Sequence, residues 1–464
     1  MRDIMFQRFA AYGFVLALLF CLTAEVDAQS KKDQKKARQL VEQGQKLYRQ
    51  KNYRNALDKY AEAVTLDPNN PDARFGKGAA HYELDENEQA FTEFDAALKN
   101  GYKKPLDIYL VRWRLNYAKK DYDAALADLK AGLALDPGNV DFQLGLGDIS
   151  FARNEYRDAI DAYQKVALKV PNSADVYLNI AKAQANLGDT LGQTTSAAEA
   201  VRLRTRFLGE AFFLLGDGYQ KQRKFDEALD AYQKAISAKP DTFAAYLGIA
   251  EIYRVQGRYN ESIEISRRAL RVFPNNGEIY TALGWYYSLA DKHEEAVEAS
   301  KAGTTLLPNQ PTAYTNLCRA YNDVKKPELA VNACNTALRL NPNDGETLFY
   351  LARANDLIGK TSEATKLYSR AVAGLVDYTS KNPDYSDGFY LLGNAYFADN
   401  KRDKAIESYS KALELSPRFS KARYNLGIIQ ILEKNKTAAL QQYTALLEID
   451  KGLAEKLKVE IDKL

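Results

Sequence analysis

Apolar and small residues recur along the chain at intervals of three, four and seven, the spacing of one face of an α-helix. In one stretch Phe212, Leu215 and Tyr219 form such a face, and Ala228 and Tyr232 form a second face after a short polar link. Polar and charged residues fill the positions between them. The pattern therefore predicts two amphipathic helices packed against each other as a hairpin.

The same pattern returns along the chain with a period of 34 residues, as the step from Pro137 to Pro171 shows. A proline near the end of most stretches marks this period, at Pro68, Pro137, Pro171, Pro240, Pro274, Pro308, Pro342, Pro383 and Pro417. Twelve repeats in register begin at Ala37, Pro71, Leu106, Val140, Ala174, Gly209, Phe243, Gly277, Pro311, Gly345, Ser386 and Ser420.

The repeat length and the placement of small and aromatic residues resemble the tetratricopeptide-repeat family. The resemblance covers residues 37 to about 450 and implies an all-α, right-handed superhelical solenoid of about twelve helix–turn–helix repeats. We predict the array over 37–452. An amphipathic stretch over 453–464 fits the capping helix that such arrays need.

Two departures from the pattern predict local irregularities. In the repeat from Ala174, Gln193 stands where alanine is expected and Thr205 where proline is expected, which predicts a looser joint. Between Ala371 and Pro383 the second helix is expected to run about two turns longer than in the other repeats, since the proline comes late.

The N-terminus has the three-part pattern of a secretory signal peptide. Arg2 and Arg8 form a weakly basic start, an apolar run covers residues 10–22, and Val26 and Ala28 occupy the positions that a signal peptidase recognises. We therefore predict a signal peptide over 1–28 and an exported protein of the periplasm or cell envelope.

An uncleaved anchor over residues 9–24 is the alternative, although its apolar run is short of the ~20 residues that span a bilayer core. Acylation of Cys21 is disfavoured because Phe20 stands where a small residue is expected. Residues 29–36 form a polar, basic lead-in to the repeats. Membrane association is expected only through an uncleaved N-terminus or through a partner.

Charge and chemistry narrow the function further. There are 64 Lys and Arg residues against 61 Asp and Glu residues, a balance that argues against a dedicated nucleic-acid binder. Two histidines, no glycine-rich phosphate loop and no nucleophile motif leave no basis for an enzyme, a metal site or a cofactor. No small-molecule substrate is evident.

Cys318 and Cys334 lie on the two predicted helices of one hairpin. In an oxidising compartment they form a disulfide if their Cα atoms lie within ~7 Å. The alternative is a pair of small apolar core residues, which is the more frequent use of cysteine.

The resemblance implies that the first helix of each repeat lines a concave face on which a peptide or helix binds. Trp285 at the ninth position of its repeat suits a binding hot spot, and a tryptophan wedged between helices is the alternative. Arg319 and Arg353 follow at the same position, and a solvated face with local salt bridges is the alternative for them. The remaining ninth-position candidates are Glu251, Asp217, Lys182 and Arg114.

These features predict a non-catalytic scaffold or adaptor that binds other proteins or peptides on the concave surface. A chaperone or secretion accessory that holds extended clients is the alternative. A subunit that recruits substrate for a separate catalytic chain is a third hypothesis.

Overall fold

The structure is a computed structural model that describes residues 30–464, and every regular element in this range is an α-helix. It divides into two compact units, the first ending at Gly188 and the second running from Asp189 to Leu464. They are called unit 1 and unit 2 below. The predicted signal peptide (1–28) and the alternative anchor (9–24) lie outside the described residues.

Unit 1 is a stack of helical hairpins. Its helices are α1 (30–49), α2 (Tyr53–Leu66), α3 (Pro71–Glu83), α4 (Asn87–Lys99), α5 (Pro105–Ala118), α6 (Tyr122–Leu135), α7 (Val140–Ala152), α8 (Tyr156–Lys169) and α9 (Ala174–Leu187).

Unit 2 continues the same alternation of first and second helices. Its helices are α10 (Thr190–Arg202), α11 (Leu208–Lys221), α12 (Phe225–Ala238), α13 (Phe243–Val255), α14 (Tyr259–Val272), α15 (Gly277–Leu289), α16 (His293–Leu306), α17 (Pro311–Asp323), α18 (Pro327–Leu340), α19 (Gly345–Leu357), α20 (Thr361–Lys381), α21 (Ser386–Ala398), α22 (Arg402–Leu415), α23 (Ser420–Leu432), α24 (Lys436–Leu447) and α25 (Lys451–Ile461).

The predicted repeats coincide with these hairpins. The first helices from Pro71 onward begin at the predicted residue or one residue earlier, as at Pro105 and Leu208. α20 has 21 residues where the other second helices have 12 to 14, so the predicted extension is present. The polar lead-in is helical from residue 30, and the last helix begins at Lys451, two residues before the predicted cap.

The turn inside each hairpin has the same backbone conformation. The fifteenth position of every repeat has a positive φ, although only three of these residues are glycine. At Lys325 the next amide, that of Lys326, donates to the Tyr321 carbonyl over 2.9 Å, the 6→1 bond of a Schellman cap. The twelve residues are Lys51, Asp85, Lys120, Asn154, Gly188, Arg223, Gly257, Asp291, Lys325, Gly359, Asn400 and Lys434.

Aromatic rings fill the space that small residues leave between hairpins. Tyr232 on α12 is 2% exposed and lies between Gly216 on α11 and Gly248 on α13. A Cβ atom at Gly216 would lie 2.7 Å from the Tyr232 ring, and one at Gly248 would lie 2.5 Å from it. Both glycines are therefore required by the close approach of the ring.

Gly216→Ala is expected to lower the free energy of unfolding by about 1–3 kcal/mol, because the added methyl group overpacks the Tyr232 ring. The measurement is urea denaturation followed by circular dichroism. Gly452→Ala on α25 is the matched control, since its Cβ atom would meet nothing closer than 3.5 Å. The control is expected to raise stability through helix propensity. Equal effects of the two variants would contradict the packing account.

The boundary between the units falls inside the repeat that the sequence marks as irregular. Gly188 ends α9 in the left-handed conformation, and α10 begins the second unit. Gln193 takes the place of the expected alanine and is fully buried. Its amide donates to the Leu214 carbonyl and to the Asp217 carboxylate, each over 2.8 Å. The polar residue is thus accommodated by hydrogen bonds within unit 2.

Unit 2 curves until its early and late hairpins meet. The Ser416 hydroxyl, after α22, donates to the Val255 carbonyl at the end of α13 over 2.6 Å. The Lys421 ammonium on α23 bonds to Asp291, in the turn after α15, over 2.7 Å. These contacts join hairpins that are far apart in sequence and close this part of the solenoid into a ring.

A buried ion cluster reinforces this closure. Arg254 on α13 has a side chain that is 4% exposed, and it forms ion pairs with Glu251 on the same helix and Asp387 on α21. The Asp387 side chain is 1% exposed. The guanidinium also lies 5.4 Å from the centre of the Tyr385 ring. A charge this deeply buried is stable only while its partners remain in place.

Cys318 on α17 and Cys334 on α18 are joined by a disulfide in the structure, with their Cα atoms 5.3 Å apart. Both residues are fully buried in the core of unit 2. The bond ties the two helices of one hairpin together at the point where they pack.

Candidate functional site

Unit 2 contains an open cavity of about 600 Å³, referred to below as the unit 2 cavity. Five consecutive first helices, α15, α17, α19, α21 and α23, each place their ninth-position residue on its wall. These residues are Trp285, Arg319, Arg353, Asn394 and Ile428. The repeat therefore presents one row of side chains to one cavity, because the ninth residues of successive repeats occupy equivalent positions on their helices.

Trp285 lines the cavity and also packs on a buried arginine. The guanidinium carbon of Arg319 lies 3.6 Å from the centre of the Trp285 ring. Arg319 is 4% exposed, donates to Asn316 over 3.0 Å and lies 3.4 Å from Glu346. This cation–π contact fixes the ring in the wall. Arg319 itself is buried and paired, so it acts as a positioning residue rather than as the predicted partner contact.

Glu346 is the titratable group beneath this stack. Burial raises the pKa of its carboxyl group to about 7, against the lowering effect of Arg319 and with a further raising effect from Asp344. Its side chain retains 29% exposure. The carboxyl group therefore changes charge close to neutral pH next to the residue that supports Trp285.

Glu346→Gln is expected to gain stability relative to the wild type as the pH rises from 5 to 8. The folded protein binds the Glu346 proton more tightly than the unfolded chain, so this group's contribution is present at pH 5 and is lost as pH rises through 7. With the exposure discounted, the gain at pH 8 is ~1–2 kcal/mol. Urea denaturation at both pH values measures it.

Glu328→Gln is the matched control, because this glutamate is exposed at the start of α18. Its stability relative to the wild type is expected to stay constant with pH. A constant difference for Glu346→Gln as well would refute the raised pKa.

The other charged groups on the cavity wall are paired with each other. Arg353 lies 3.2 Å from Asp323, and Lys421 lies 2.7 Å from Asp291. The rest of the wall is largely aromatic, formed by Phe349, Tyr350, Tyr368, Tyr390, Phe397 and Tyr409. The cavity therefore combines apolar rings with a few fixed polar groups, as binding sites for organic ligands do.

Two amides offer unused hydrogen-bonding groups at this wall. Asn425 and the Tyr409 hydroxyl both donate to the Asn394 side-chain oxygen, over 2.8 and 2.6 Å. Burial raises the pKa of Tyr409, so its hydroxyl stays a neutral donor. The Asn394 amide nitrogen and the Asn425 amide oxygen remain for a ligand. One donor beside one acceptor matches the pattern of a peptide group.

The remaining predicted residues lie elsewhere. Glu251 belongs to the ion cluster of Arg254, and Asp217 bonds to Lys221 over 2.7 Å and to Gln193. In unit 1, Arg114 on α5 lies 3.6 Å from Asp141, and Lys182 lies half-buried on α9. Of the seven candidates, the structure brings Trp285, Arg319 and Arg353 together. The seven predicted candidates are Trp285, Arg319, Arg353, Glu251, Asp217, Lys182 and Arg114.

Sequence reasoning missed most of the cavity wall, and four of the missed residues are instructive. Lys421 occupies the second position of its repeat, where eight other repeats carry an acid that favours the helix start. The lysine at this position was a signal that sequence reasoning could have used. Phe397 occupies the twelfth position, where an aromatic residue is common in this chain. Phe349 and Tyr390 sit at the fifth position, which the repeat pattern alone does not separate from core packing.

Two searches of residues 30–464 bear on other functions. No cluster of three or more metal-ligating side chains occurs in this range. Over the same range, no helix combines the length and apolar character needed to cross a membrane.

Stacked helical hairpins of constant length define a helical solenoid, the class of repeat protein that presents extended surfaces for other proteins. Tetratricopeptide-repeat models match residues 116–187, 213–276 and 311–344, and a TPR repeat model matches 44–85 and 393–431. Together they cover more than half of the 464 residues. The chain belongs to the tetratricopeptide-repeat family.

Two curated proteins and one solved structure are among those to which the chain is similar. The chain is 25% identical over 210 residues to RNA polymerase II-associated protein 3 of Homo sapiens, covering 44% of the chain and 28% of that protein. It is 23% identical over 236 residues to the Hsp70-Hsp90 organizing protein of Triticum aestivum, covering 43% and 40%. The crystal structure of yeast Tom70 aligns over 91% of this chain and 94% of that chain, with 17% identity and a TM-score of 0.38. The chain thus spans well under half the length of these curated relatives.

Proposed function

We propose that this protein is an exported adaptor of the cell envelope that binds a segment of a partner protein in the unit 2 cavity. The observation that carries the proposal is the convergence of five ninth-position side chains on one cavity with aromatic walls. The N-terminal sequence pattern supports export, and the disulfide between Cys318 and Cys334 fits an oxidising compartment.

The cavity suits a short peptide segment better than a charged metabolite. Its cations Arg353 and Lys421 are already paired with carboxylates. The free amide groups of Asn394 and Asn425 complement a backbone peptide group, and Trp285 offers a ring for an apolar side chain. A desolvated aromatic anchor of this kind contributes much of the binding energy in protein interfaces.

A chaperone accessory is the second candidate, and the observation that favours it is the match to an Hsp70-Hsp90 organizing protein. A holder of extended clients would bind many chains weakly. An adaptor would bind one partner at one place.

Site-specific photo-crosslinking tests the proposal. A photoreactive phenylalanine replaces Phe397, a cavity residue that is 39% exposed, and the control carries it at the exposed Lys366 on α20. We expect one dominant partner, identified by mass spectrometry, from position 397 alone. Many products shared by both positions would contradict the adaptor and favour the holder.

Trp285→Ala is expected to weaken binding of the captured partner by about 2 kcal/mol or more, a factor of about 30 in affinity. The expected loss is large because the truncation removes the whole indole ring from the cavity wall. The measurement is titration of the partner segment against the full chain. Trp285→Phe keeps a ring and is expected to lose less, and equal losses for the two variants would contradict the role of the indole.

A further inference from the structure

Unit 2 has two surface grooves that are lined by the same types of residue and lie two repeats apart. The first, of about 510 Å³, lies among α10, α11 and α12, and the second, of about 420 Å³, lies among α14, α15 and α16. Their lining residues correspond with an offset of 68 residues. The pairs are Phe212 and Tyr280, Leu215 and Leu283, Tyr219 and Tyr287, Asp226 and Glu294, Glu227 and Glu295, Asp230 and Glu298, and Ala231 and Ala299.

These grooves are separate from the unit 2 cavity. On α15, Leu283 and Tyr287 line the second groove, while Trp285 lines the cavity. Residues two positions apart on a helix point about 200° apart around its axis, so the two sites use opposite faces of α15. The two grooves therefore belong to a second surface of unit 2, called the outer surface below. Their apolar residues do not line the unit 2 cavity.

An excess of carboxylates rims both grooves. The first turn of α12 carries Asp226 and Glu227, and that of α16 carries Glu294 and Glu295. The other second helices, from α2 to α24, carry at most one acidic residue there. One carboxylate already satisfies the helix dipole. The doubled acids therefore mark the two helices that border the grooves.

These four carboxylates are exposed, and none forms an ion pair within residues 30–464. A third acid follows in each groove, where Asp230 pairs with Lys234 over 2.7 Å and Glu298 pairs with Lys301 over 2.9 Å. Counting the cations that line them, Lys234 and Arg267, each groove keeps a net negative charge. A basic ligand would complement both.

The repeat between the two grooves is closed. Its equivalent aromatic residue Tyr246 is 2% exposed, whereas Phe212 and Tyr280 are partly exposed, and Phe273 packs edge-on against Tyr246. In this repeat the aromatic ring that would line a groove is therefore covered. With about 10 Å between neighbouring first helices, the two grooves lie ~20 Å apart.

We propose that this outer surface binds a basic amphipathic helix of a partner protein. Its apolar side chains fill the two grooves, and its lysines or arginines lie along the acidic rims. A separation of ~20 Å corresponds to about 13 residues of α-helix. This helix-in-groove mode adds a second binding surface to the scaffold and does not depend on the cavity.

Fluorescence anisotropy of a labelled lysine/leucine peptide of about 18 residues at helical spacing tests the proposal with the full chain. Glu227→Lys with Glu295→Lys is expected to weaken its binding at least tenfold. Asp158→Lys with Glu328→Lys, which reverses two exposed first-turn acids on α8 and α18, is the matched control and is expected to change the affinity less than twofold.

Two further peptides separate charge from apolar contact. A lysine/serine peptide of equal charge and a glutamate/leucine peptide are each expected to bind at least tenfold more weakly than the lysine/leucine peptide. Equal losses in the two double variants, or equal affinity for the lysine and glutamate peptides, would overturn the proposal. So would equal affinity for the lysine/serine peptide. Circular dichroism confirms that the variants, all at exposed positions, remain folded.

Discussion

Arg254→Met is expected to lower the free energy of unfolding of unit 2 by about 3–5 kcal/mol, the cost of leaving buried charges without a partner. The variant strands Asp387, whose side chain is 1% exposed, and removes both ion pairs of Arg254. It also opens the contact between α13 and α21. The measurement is urea denaturation followed by the emission of Trp285, which lies in the same unit.

Arg258→Met is the matched control for this prediction. Arg258 is 44% exposed and pairs with Glu261 three residues later. A surface pair of this kind contributes less than ~0.5 kcal/mol. A triple variant that adds Glu251→Gln and Asp387→Asn to Arg254→Met is expected to recover stability, since it removes the stranded charges. If Arg254→Met alone lowers the free energy of unfolding by less than 1 kcal/mol, the ion cluster does not stabilise the contact between the early and late hairpins of unit 2.

Loss of the disulfide is expected to lower the free energy of unfolding by about 3 kcal/mol, the value for a closed loop of this size. Cys318 and Cys334 are 16 residues apart in the chain. The measurement compares urea denaturation with and without dithiothreitol, because both cysteines are fully buried and a reductant reaches them only in the unfolded chain.

The Cys318→Ala, Cys334→Ala double variant provides the control. Its free energy of unfolding is expected to match that of the reduced wild type, apart from the small effect of two Cys→Ala substitutions in the core. Dithiothreitol is expected to leave the stability of this variant unchanged. An unaltered midpoint for the wild type on reduction would mean that the two thiols are not bonded in the folded protein.

The repeats were predictable because their signal is local. Small residues such as Gly216 and rings such as Tyr232 recur with the 34-residue period, and this predicts the starts of the first helices from Pro71 onward to within a residue. Gln193 also marked the repeat in which the chain divides into two units. The ninth positions predicted the cavity residues Trp285 and Arg353. The repeat places these positions on the same face of each successive first helix.

The closure of unit 2 was not predictable from the repeat. Contacts such as Lys421 with Asp291 depend on small rotations between hairpins that accumulate over several repeats. The same holds for the burial of Arg319, which the sequence placed on a solvated or partner-facing surface. Its exposure depends on Trp285 and Glu346, which lie one repeat before and one repeat after it.

Hydrogen–deuterium exchange of the full chain with and without its captured partner tests the central claim most directly. The account predicts that protection on binding is concentrated in α15, α17, α19, α21 and α23, the helices that line the unit 2 cavity. It also predicts that Trp285→Ala abolishes this protection. Protection confined to unit 1, or protection of the same helices that persists in Trp285→Ala, would contradict it.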